Sequence, residues 1–416
     1  MDDKVGEIIQ VIRQAAEFLL KHREGNRSER YLYLLTDIRS GIFAVNNALL
    51  KKYGTSAPFD ISKFEKEMEG SAEPDSLPDE LSRWMETVAA IRSRNLQETT
   101  PALLSGPIDR NFSALAASVG GKSQDELNRT IRENLHRLKK DQKINYTATL
   151  EYYNKYKLWG MIQPERGVYD LVDNRARALC EHFSDFEWLY RRLCDNRSKK
   201  ILTAILTYWF TFDWKKIDGI VDHTFPQYFD LDLVNCGRDE VFVDVGAYIG
   251  DTLADYINVF GRDCYRKFYC YEILPSNVKK IRRLVDKYTL ENVEIRFKGI
   301  SGKAGEMFTK DVEMSSVGRL SEDGEVKVPI VSVDEDIEGP VTFIKMDIEG
   351  AEEDALNGCL KKIGQYHPKL ALSAYHNHKD LWKLARMIDG VDSTYHFYLR
   401  YYGGNLCPTE YLLYAI

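Results

Sequence analysis

The second half of the 416-residue chain alternates short apolar runs with longer runs of helical periodicity, and this alternation limits the possible folds most. The predicted strands are residues 241–245, 267–271, 293–297, 341–346, 370–375, 395–401 and 410–416. The predicted helices are residues 252–260, 277–288, 351–363 and 379–388. Strands that alternate with helices form βαβ units, which build a parallel sheet with helices on both faces. We therefore predict a doubly wound, mostly parallel α/β domain over residues 236–416.

The first half of the chain shows helical periodicity throughout, so we expect an all-α region before the α/β domain. The clearest apolar stripes are formed by Ile8, Ile12, Ala15 and Leu19, then by Tyr31, Leu35, Ile38, Ile42, Val45 and Leu49. Ser123 and Glu126 have the spacing of a capping box, which predicts a helix start. Two stretches rich in proline and glycine, 71–80 and 97–121, are predicted to be loops. We divide this half into a helical N-terminal region of unknown role (1–145) and a helical pre-domain (146–235).

Composition excludes several classes of protein. The chain has 57 basic and 64 acidic residues, which is not the basic excess of a nucleic-acid binder. Its most apolar stretch, 201–212, is about 12 residues long, too short for a membrane span. The start carries no signal-peptide pattern, and the seven cysteines include no CxxC pair. We expect a cytoplasmic protein with no nucleic-acid partner and no membrane span.

The stretch from Val241 to Thr252 is the most informative for function. It runs from a buried strand through a turn with Gly246 and Gly250 into a helix, which is typical of a ligand site at the end of the first strand of a doubly wound sheet. A dinucleotide site would need a third glycine, and Asp251 would lie beside a pyrophosphate. NAD is therefore disfavoured. The alternative is a turn that only connects strand and helix.

Two further strand ends carry acidic or basic residues. Glu272 ends the second strand, where a carboxylate can accept hydrogen bonds from the two hydroxyls of a ribose. Lys345, Asp347 and Glu349 alternate along the fourth strand and its extension, so they project to one side. A nucleoside with a zwitterionic, cationic tail suits these acids better than a phosphate does, and S-adenosylmethionine (SAM) is such a ligand. A solvated Glu272 and a Lys345–Asp347 ion pair that only fixes the loop are the structural alternatives.

Five motifs in this half together resemble the methyltransferases of the FkbM type. They are Val-Asp-Val-Gly-Ala-x-x-Gly-Asp-Thr (243–252), Tyr-Glu-x-x-Pro (271–275), Ile-Lys-Met-Asp-Ile-Glu-Gly-Ala-Glu (344–352), Tyr-His (375–376) and the closing run from Tyr398 to Ile416. The resemblance covers about residues 227–416. It implies a class I, SAM-dependent methyltransferase, mostly of a type that methylates hydroxyls of sugars or polyketides. No family resemblance is found for residues 1 to about 150.

The resemblance also implies roles for individual residues. The set expected to bind the cofactor is Asp244, Gly246, Ala247, Tyr248, Gly250, Thr252, Glu272, Ile273, Ser301 and Asp347. Tyr248 stands where the family usually has asparagine. The set expected to serve catalysis is His376, Asp347, Glu349 and Lys345. Position in the predicted sheet, rather than the resemblance, suggests His376 or one of the two carboxylates as the base that accepts the hydroxyl proton, because all three fall at the carboxyl ends of adjacent predicted strands. No metal site is expected, because His376 and His378 have no third histidine or cysteine close by in the sequence.

The predicted function is therefore O-methylation of a hydroxyl on a sugar, a glycan or another polar metabolite. A nitrogen or protein methyltransferase is one alternative, and a non-catalytic protein on a SAM-binding fold is another. The helical half is expected to act as a lid, in substrate binding or in homo-oligomerisation. Its aromatic residues between 146 and 214 would either stack on a sugar or simply fill a core.

Overall fold

The computed structural model describes residues 2–21, 29–53, 57, 59–69, 77–97, 106–157, 159–309, 320–321, 325–404 and 407–416. The chain forms two compact units, Met1–Ser105 and Gly106–Ile416. The unit boundary therefore lies earlier than the boundaries near 145 and 235 expected from the sequence, and that three-part division remains a prediction. In the part of the chain that the structure describes, no helix combines the length and apolarity needed to cross a membrane.

The first unit is helical, as predicted. Its helices are α1 (Asp2–Lys21), α2 (Glu29–Tyr53), α3 (Ile61–Glu69) and α4 (Asp79–Gln97). The apolar stripes of α1 and α2 are buried against each other, with Ile12, Ile38 and Val45 at most 2% exposed. The side chain of Tyr31, which belongs to the second predicted stripe, lies outside the described residues. Trp84 of α4 joins this core and donates a hydrogen bond to Asn46.

The second unit begins with a helical segment and continues into the α/β domain. Its helices are α5 (Pro107–Val119), α6 (Gln124–Asp141), α7 (Lys143–Tyr156), α8 (Asp170–Glu181), α9 (Phe183–Arg192), α10 (Asn196–Thr211), α11 (Trp214–Asp218), α12 (Asp251–Phe260), α13 (Pro275–Tyr288), α14 (Val333–Asp336), α15 (Glu352–Asn357), α16 (Leu360–Tyr366) and α17 (Asp380–Val391). The capping box is confirmed, because Ser123 Oγ accepts from the Glu126 amide and Glu126 accepts from the Ser123 amide. The most apolar stretch, 201–212, was expected to be too short for a membrane span; it forms the largely buried end of α10 and its C-cap, Phe212.

Two local predictions were wrong. The loop expected over 97–121 contains helix α5, because Pro107 occupies the first helical turn, where a missing N–H costs nothing, and Gly120 follows the last turn. The parts of the two expected loops at 71–76 and 98–105 lie outside the described residues. The helix expected over 351–363 is two helices, α15 and α16. They separate at Gly358, where a Cβ atom would lie 2.4 Å from the Ser301 carbonyl oxygen.

The predicted doubly wound, mostly parallel sheet is confirmed. Its strands are β1 (Val241–Val245), β2 (Lys267–Glu272), β3 (Val293–Phe297), β8 (Phe343–Met346), β9 (Lys369–Ser373), β10 (Phe397–Tyr401) and β11 (Tyr411–Ala415). Their order across the sheet is β10-β11-β9-β8-β1-β2-β3, and β11 runs antiparallel to both of its neighbours. The central strands β1 and β8 are buried on both faces, which explains why their sequences are apolar except for Asp244 and Lys345.

A second, smaller sheet that the sequence did not predict lies between β3 and β8. Its strands are β4 (Gly299–Ile300), β5 (Gly305–Thr309), β6 (Leu320–Ser321) and β7 (Val326–Val331), in the order β4-β7-β5-β6. Strand β5 is exposed over four of its five residues and therefore lacks a clear alternation of apolar and polar residues.

The helical segment of the second unit is fixed to the edge of the main sheet by buried polar contacts. Ser198 at the start of α10 accepts a hydrogen bond from the Leu399 amide of β10 at 2.8 Å. Arg400 of the same strand contacts Asp195 at 2.9 Å and also pairs with Asp230, which is fully buried. Because these side chains leave water on folding, each needs its partner. The contacts join the helices of 143–218 to the sheet within one unit.

Candidate functional site

A cavity of about 700 Å³ lies at the edge of the sheet where the parallel strands β1, β2 and β8 end. The chain runs from β1 outwards to β3 on one side and returns to β8 on the other side of β1. This reversal of direction is the switch point at which doubly wound sheets bind ligands. The volume falls in the range of small-molecule sites, about 300–1,000 Å³. The cavity is therefore the candidate active site of this chain.

The glycine turn after β1 and the turn after β8 touch each other at the cavity. Gly246 has φ +83°, and a Cβ atom there would lie 2.0 Å from the carbonyl oxygen of Asp347. Only glycine tolerates both the backbone angle and this approach. Gly250, with φ +88°, is the residue before helix α12, whose first amides face the turn. The local sequence thus brings Asp347 beside the turn of Gly246.

Most of the predicted site residues line the cavity, and four do not. Those on the wall are Gly246, Tyr248, Thr252, Glu272, Ile273, Ser301, Lys345, Asp347 and Glu349. Those behind the wall are Asp244, Ala247, Gly250 and His376. Asp244, Ala247 and His376 are at most 1% exposed, so any influence on a ligand passes through their neighbours. The individual roles expected for these residues remain predictions.

Asp244 and Lys345 form a buried ion pair beneath the glycine turn. Lys345 Nζ lies 2.9 Å from Asp244 Oδ1 and donates a hydrogen bond of 2.6 Å to the Gly246 carbonyl. Burial raises the pKa of Asp244 to about 6, against the opposing effect of Lys345. Burial also opposes the charge of Lys345, but Asp244 and Asp347 raise its pKa overall. The ion pair of Lys345 is therefore with Asp244, and the hydrogen bond of Lys345 to the Gly246 carbonyl holds the turn in place.

Glu272 ends β2 as predicted, and its carboxylate is held by backbone amides. Its Oε1 accepts hydrogen bonds from the amides of Ile273 and Leu274, each at 2.8 Å. Burial raises the pKa of Glu272 to about 7, although these amides and Lys345 act in the opposite direction. The side chain is thus fixed in orientation on the cavity wall, as a residue that accepts hydrogen bonds from a ribose would need to be.

Asp347 is held from two sides at the end of β8. Tyr228 donates a hydrogen bond of 2.7 Å to its Oδ2, and Nε2 of His376 lies 3.6 Å from its Oδ1. Burial alone would raise its pKa, but His376, Lys345 and Tyr228 lower the pKa below its ordinary value. Glu349, two residues later, has φ +59°, a backbone conformation that is uncommon outside glycine. Such strain is concentrated at functional sites.

His376 lies behind the cavity wall among carboxylates. Its Nδ1 is 2.8 Å from Glu352 Oε1, and its Nε2 is 3.8 Å from Glu349 Oε2 as well as near Asp347. Burial disfavours the charged ring, but Glu352 and, with smaller effects, Asp347 and Glu349 raise the pKa of His376 to about 10. His376 thus makes its contacts with the protein rather than with the cavity.

His378, the second histidine of the pair considered as metal ligands, lies apart from the group around His376. His378 packs edge-on against Trp209, with ring centroids 4.8 Å apart, and burial lowers its pKa well below the ordinary value. The two histidines therefore do not converge on one point. In the described residues, His376 instead joins Asp347 and Glu352 in a group whose ligand atoms lie within 4.8 Å of one another.

The sequence did not single out several residues that also line the cavity. Glu410 precedes β11, and because this strand runs antiparallel, its beginning lies at the edge where the parallel strands end. Gln227 donates a hydrogen bond of 2.9 Å to Glu410, and burial together with the nearby Asp347 raises the pKa of Glu410. The sequence could have indicated Glu410 only if β11 had been recognised as antiparallel, because the residue before such a strand lies at the edge where the parallel strands end.

A group of aromatic residues forms another part of the wall. Tyr152 and Tyr156 of α7 have ring centroids 4.8 Å apart, and Trp159 follows them. Trp159 Nε1 donates a hydrogen bond to the Tyr375 carbonyl at the end of β9, which ties the helical segment to the site. The helical segment of the second unit thus contributes directly to the cavity. Because rings expose both flat faces and polar tips, this part of the wall suits a polar ring as ligand.

Comparison with known proteins gives matches that agree with this geometry. Residues 244–401 match the model of the methyltransferase FkbM domain. The structure of a methyltransferase FkbM from Methylobacillus flagellatus KT is similar to this chain, with 26% sequence identity and a TM-score of 0.51. That similarity covers 60% of this chain and 64% of the other, so the chain spans less than two thirds of the length of its relative. No curated protein matches the sequence.

Other solved structures are less similar. An rRNA methylase from Streptococcus thermophilus has 14% identity and a TM-score of 0.31, over 43% of this chain and 87% of the other. Fibrillarin from Aeropyrum pernix, a structure with natively bound S-adenosyl-L-methionine, has 10% identity and a TM-score of 0.27, over 43% of this chain and 67% of the other. At these scores neither contributes to the assignment. The family model and the structure from Methylobacillus flagellatus do, and they show that residues 244–401 are similar to methyltransferase domains of the FkbM type.

Proposed function

We propose that the chain is a SAM-dependent methyltransferase that methylates a hydroxyl of a sugar, a glycan or another polar metabolite. The observation that carries the proposal is the cavity at the switch point, which brings the Gly246 turn, Glu272 and Asp347 onto one wall. Bound SAM would supply an electrophilic methyl group on a sulfonium. Glu272 and Ile273 would hold its nucleoside, and the Gly246 turn with Thr252 would hold its methionine end.

The charges on the wall support a cationic donor and an acceptor without phosphate. The carboxylates on it belong to Asp251, Glu272, Asp347, Glu349, Asp354 and Glu410. The two lysines on it are each paired with an acid, Lys345 with Asp244 at 2.9 Å and Lys298 with Asp336 at 2.5 Å. An anionic ligand would therefore meet net repulsion. This argues for a neutral polyol as acceptor, and an amine is the alternative.

The acceptor hydroxyl must lose its proton during transfer, and three carboxylates are placed to receive it. Asp347, Glu349 and Glu410 line the cavity, whereas His376 lies behind them at 1% exposure. We therefore assign the base to a carboxylate rather than to His376 and regard His376 as a positioning residue. Glu410 suits the role well because burial raises its pKa, which brings a carboxylate closer to the operating pH. A positioned base typically adds about 10²–10⁴-fold to the rate.

The chain's largest contribution to the reaction would be placement. Ordered donor and acceptor sites are worth up to about 7–11 kcal/mol in well-oriented systems. In this chain the tyrosines of α7 face the cavity together with the glycine turn and the strand ends, so one enclosed space can hold both molecules. The helical segment would then serve as the acceptor wall. Homo-oligomerisation through the helical half and a cytoplasmic location remain predictions.

The proposed function is tested with tritium-labelled SAM and three probe sets: methyl glycosides, free polyols and primary amines. We expect label to be transferred to hydroxyl probes and S-adenosylhomocysteine (SAH) to be released. Transfer to amines alone would support the nitrogen alternative, and the response to removal of Glu410 would then be flat. Failure of SAH to bind in calorimetry would support the non-catalytic alternative and contradict the proposal.

A further inference from the structure

The cluster behind the cavity wall has a feature that an ion-pair network does not explain. The imidazole of His376 is 1% exposed; its Nδ1 lies 2.8 Å from Glu352 Oε1, but its Nε2 has no hydrogen bond. Nε2 faces Asp347 Oδ1 at 3.6 Å and Glu349 Oε2 at 3.8 Å, both beyond hydrogen-bond distance. A buried donor or acceptor without a partner is costly, so this arrangement calls for a ligand between the groups.

The second observation is the composition of the cluster. His376, Glu352 and Asp347 each offer one ligand atom, and the three atoms lie within 4.8 Å of one another. Ligand atoms held about 2.1 Å from one cation lie about 3–4 Å apart, so the widest separation in this group would have to shorten by about 1 Å around a bound cation. One nitrogen with two carboxylate oxygens suits Mn²⁺, Fe²⁺ or Zn²⁺ better than Ca²⁺. We propose that Asp347, Glu352 and His376 form a binding site for a divalent transition-metal cation.

The surroundings provide the charge, the support and the access that such a site needs. Glu352 is fully buried and its Oε1 is fixed by the Ile348 amide at 2.9 Å, while its Oε2 has no hydrogen bond. Asp380, also buried, adds a further carboxylate on α17. Asp347 lies on the cavity wall, so a cation has a path from solvent. Three protein ligands beside a cavity leave coordination positions open, as in catalytic rather than structural metal sites.

The position also gives the cation a task in the proposed reaction. A hydroxyl bound to a divalent cation loses its proton more easily. The cation would lie beside the carboxylates that line the cavity, where an acceptor hydroxyl is expected. The proposal itself stands on the cluster and does not require that the chain transfers methyl groups.

The test is a titration of the full chain, stripped with EDTA, with MnCl₂, followed by electron paramagnetic resonance and calorimetry. We expect one Mn²⁺ per chain, and Asp347→Asn should weaken its binding by at least about tenfold. Asp354→Asn is the matched control, because Asp354 is an acid on the same wall outside the cluster, and it should leave the affinity unchanged. No donor or acceptor is present, so this result is independent of the test of methyl transfer.

Coordination of the cation by His376 can be detected spectroscopically, without a substitution of this buried residue. Electron spin echo spectra of the Mn²⁺ complex should show coupling to a ¹⁴N nucleus that is replaced by ¹⁵N coupling when the protein is grown with ¹⁵N-histidine. Absence of saturable Mn²⁺ binding, equal binding by Asp347→Asn, or a spectrum without histidine coupling would each overturn the proposal.

Discussion

Gly246 and Asp347 lie so close that a Cβ atom on Gly246 would be 2.0 Å from the Asp347 carbonyl oxygen. Gly246→Ala should therefore displace both turns, and its φ of +83° adds strain of about 1–2 kcal/mol. We expect a loss of at least about 2 kcal/mol in the free energy of unfolding and loss of SAH binding. Urea denaturation and calorimetry measure the two effects. Gly237→Ala, where no atom lies within 4 Å of the added carbon, should behave like the wild type. Equal behaviour of the two variants would contradict the role of the turn.

We expect Glu272 to make SAH binding depend on pH. Burial raises its pKa from an ordinary value of 4.5 to about 7, so the carboxylate proposed to accept ribose hydrogen bonds loses its charge as the pH falls through 7. We expect the affinity for SAH to fall below that pH by up to about tenfold per unit. Glu272→Gln should bind SAH weakly at pH 8 and lack this dependence, whereas Glu306→Gln, an exposed residue of β5, should retain it. Calorimetry at several pH values measures the slope, and a flat wild-type profile would contradict the assignment.

The same shift has a consequence for stability in the absence of ligand. Because the folded pKa of Glu272 lies above the unfolded one, the folded chain binds more protons between about pH 4.5 and 7. The contribution of Glu272 to stability is therefore full at low pH and is lost as the pH rises through 7. We expect the free energy of unfolding of the wild type to fall relative to that of Glu272→Gln as the pH rises through this range, and urea denaturation at several pH values measures the difference.

The buried ion pair of Lys345 and Asp244 should matter far more than the partly exposed pair of Lys298 and Asp336. Lys345→Met leaves Asp244 buried without a counter-charge, and we expect a loss of about 3–5 kcal/mol in the free energy of unfolding. Lys298→Met removes a lysine of the same wall whose side chain is 34% exposed and pairs with Asp336, and it should cost about 1 kcal/mol or less. The double variant Asp244→Asn, Lys345→Met should recover part of the loss. Equal costs for the two lysines would be evidence against the buried pair.

Glu410 should affect turnover without affecting SAH binding. If it accepts the proton of the acceptor hydroxyl, Glu410→Gln lowers methyl transfer by about 10²-fold or more while the affinity for SAH is unchanged. Glu349→Gln is the matched comparison, because it removes a carboxylate of the same wall. Measurement of tritium transfer alongside calorimetry separates the two effects. Unchanged turnover of Glu410→Gln with a strong loss in Glu349→Gln would move the role of base to Glu349.

The main sheet was predictable because each of its strands leaves a local, repeated pattern of apolar residues in the sequence. All seven strands were predicted to within about two residues, since parallel strands buried on both faces read as short, mostly apolar runs such as 241–245. The β5 strand of the second sheet was not predictable, because four of its residues are exposed and no face is marked by apolar residues. Helix α5 was missed because proline and glycine were taken as signs of a loop, whereas Pro107 begins the helix and Gly120 follows its last residue.

The site was predictable only in part, for a different reason. Strand ends marked Gly246, Glu272 and Asp347, because parallel strands place their carboxyl ends at one edge. Glu410 escaped notice because it precedes an antiparallel strand. Tyr152 and Tyr156 belong to the aromatic residues expected either to stack on a sugar or to fill a core, and the sequence did not distinguish the two. The sequence also suggested His376 as a base, while the structure encloses it among Glu352, Asp347 and Glu349. Distances between side chains of different elements are tertiary information that spacing does not contain.

A crystal structure of the full chain with SAH would show whether the cavity at the switch point is the cofactor site. We expect the ribose hydroxyls within hydrogen-bond distance of the Glu272 carboxylate, the adenine beside Ile273 and the sulfur near the Gly246 turn and Asp347. SAH bound elsewhere, or a cavity that stays free of it at saturating concentration, would contradict the proposed site.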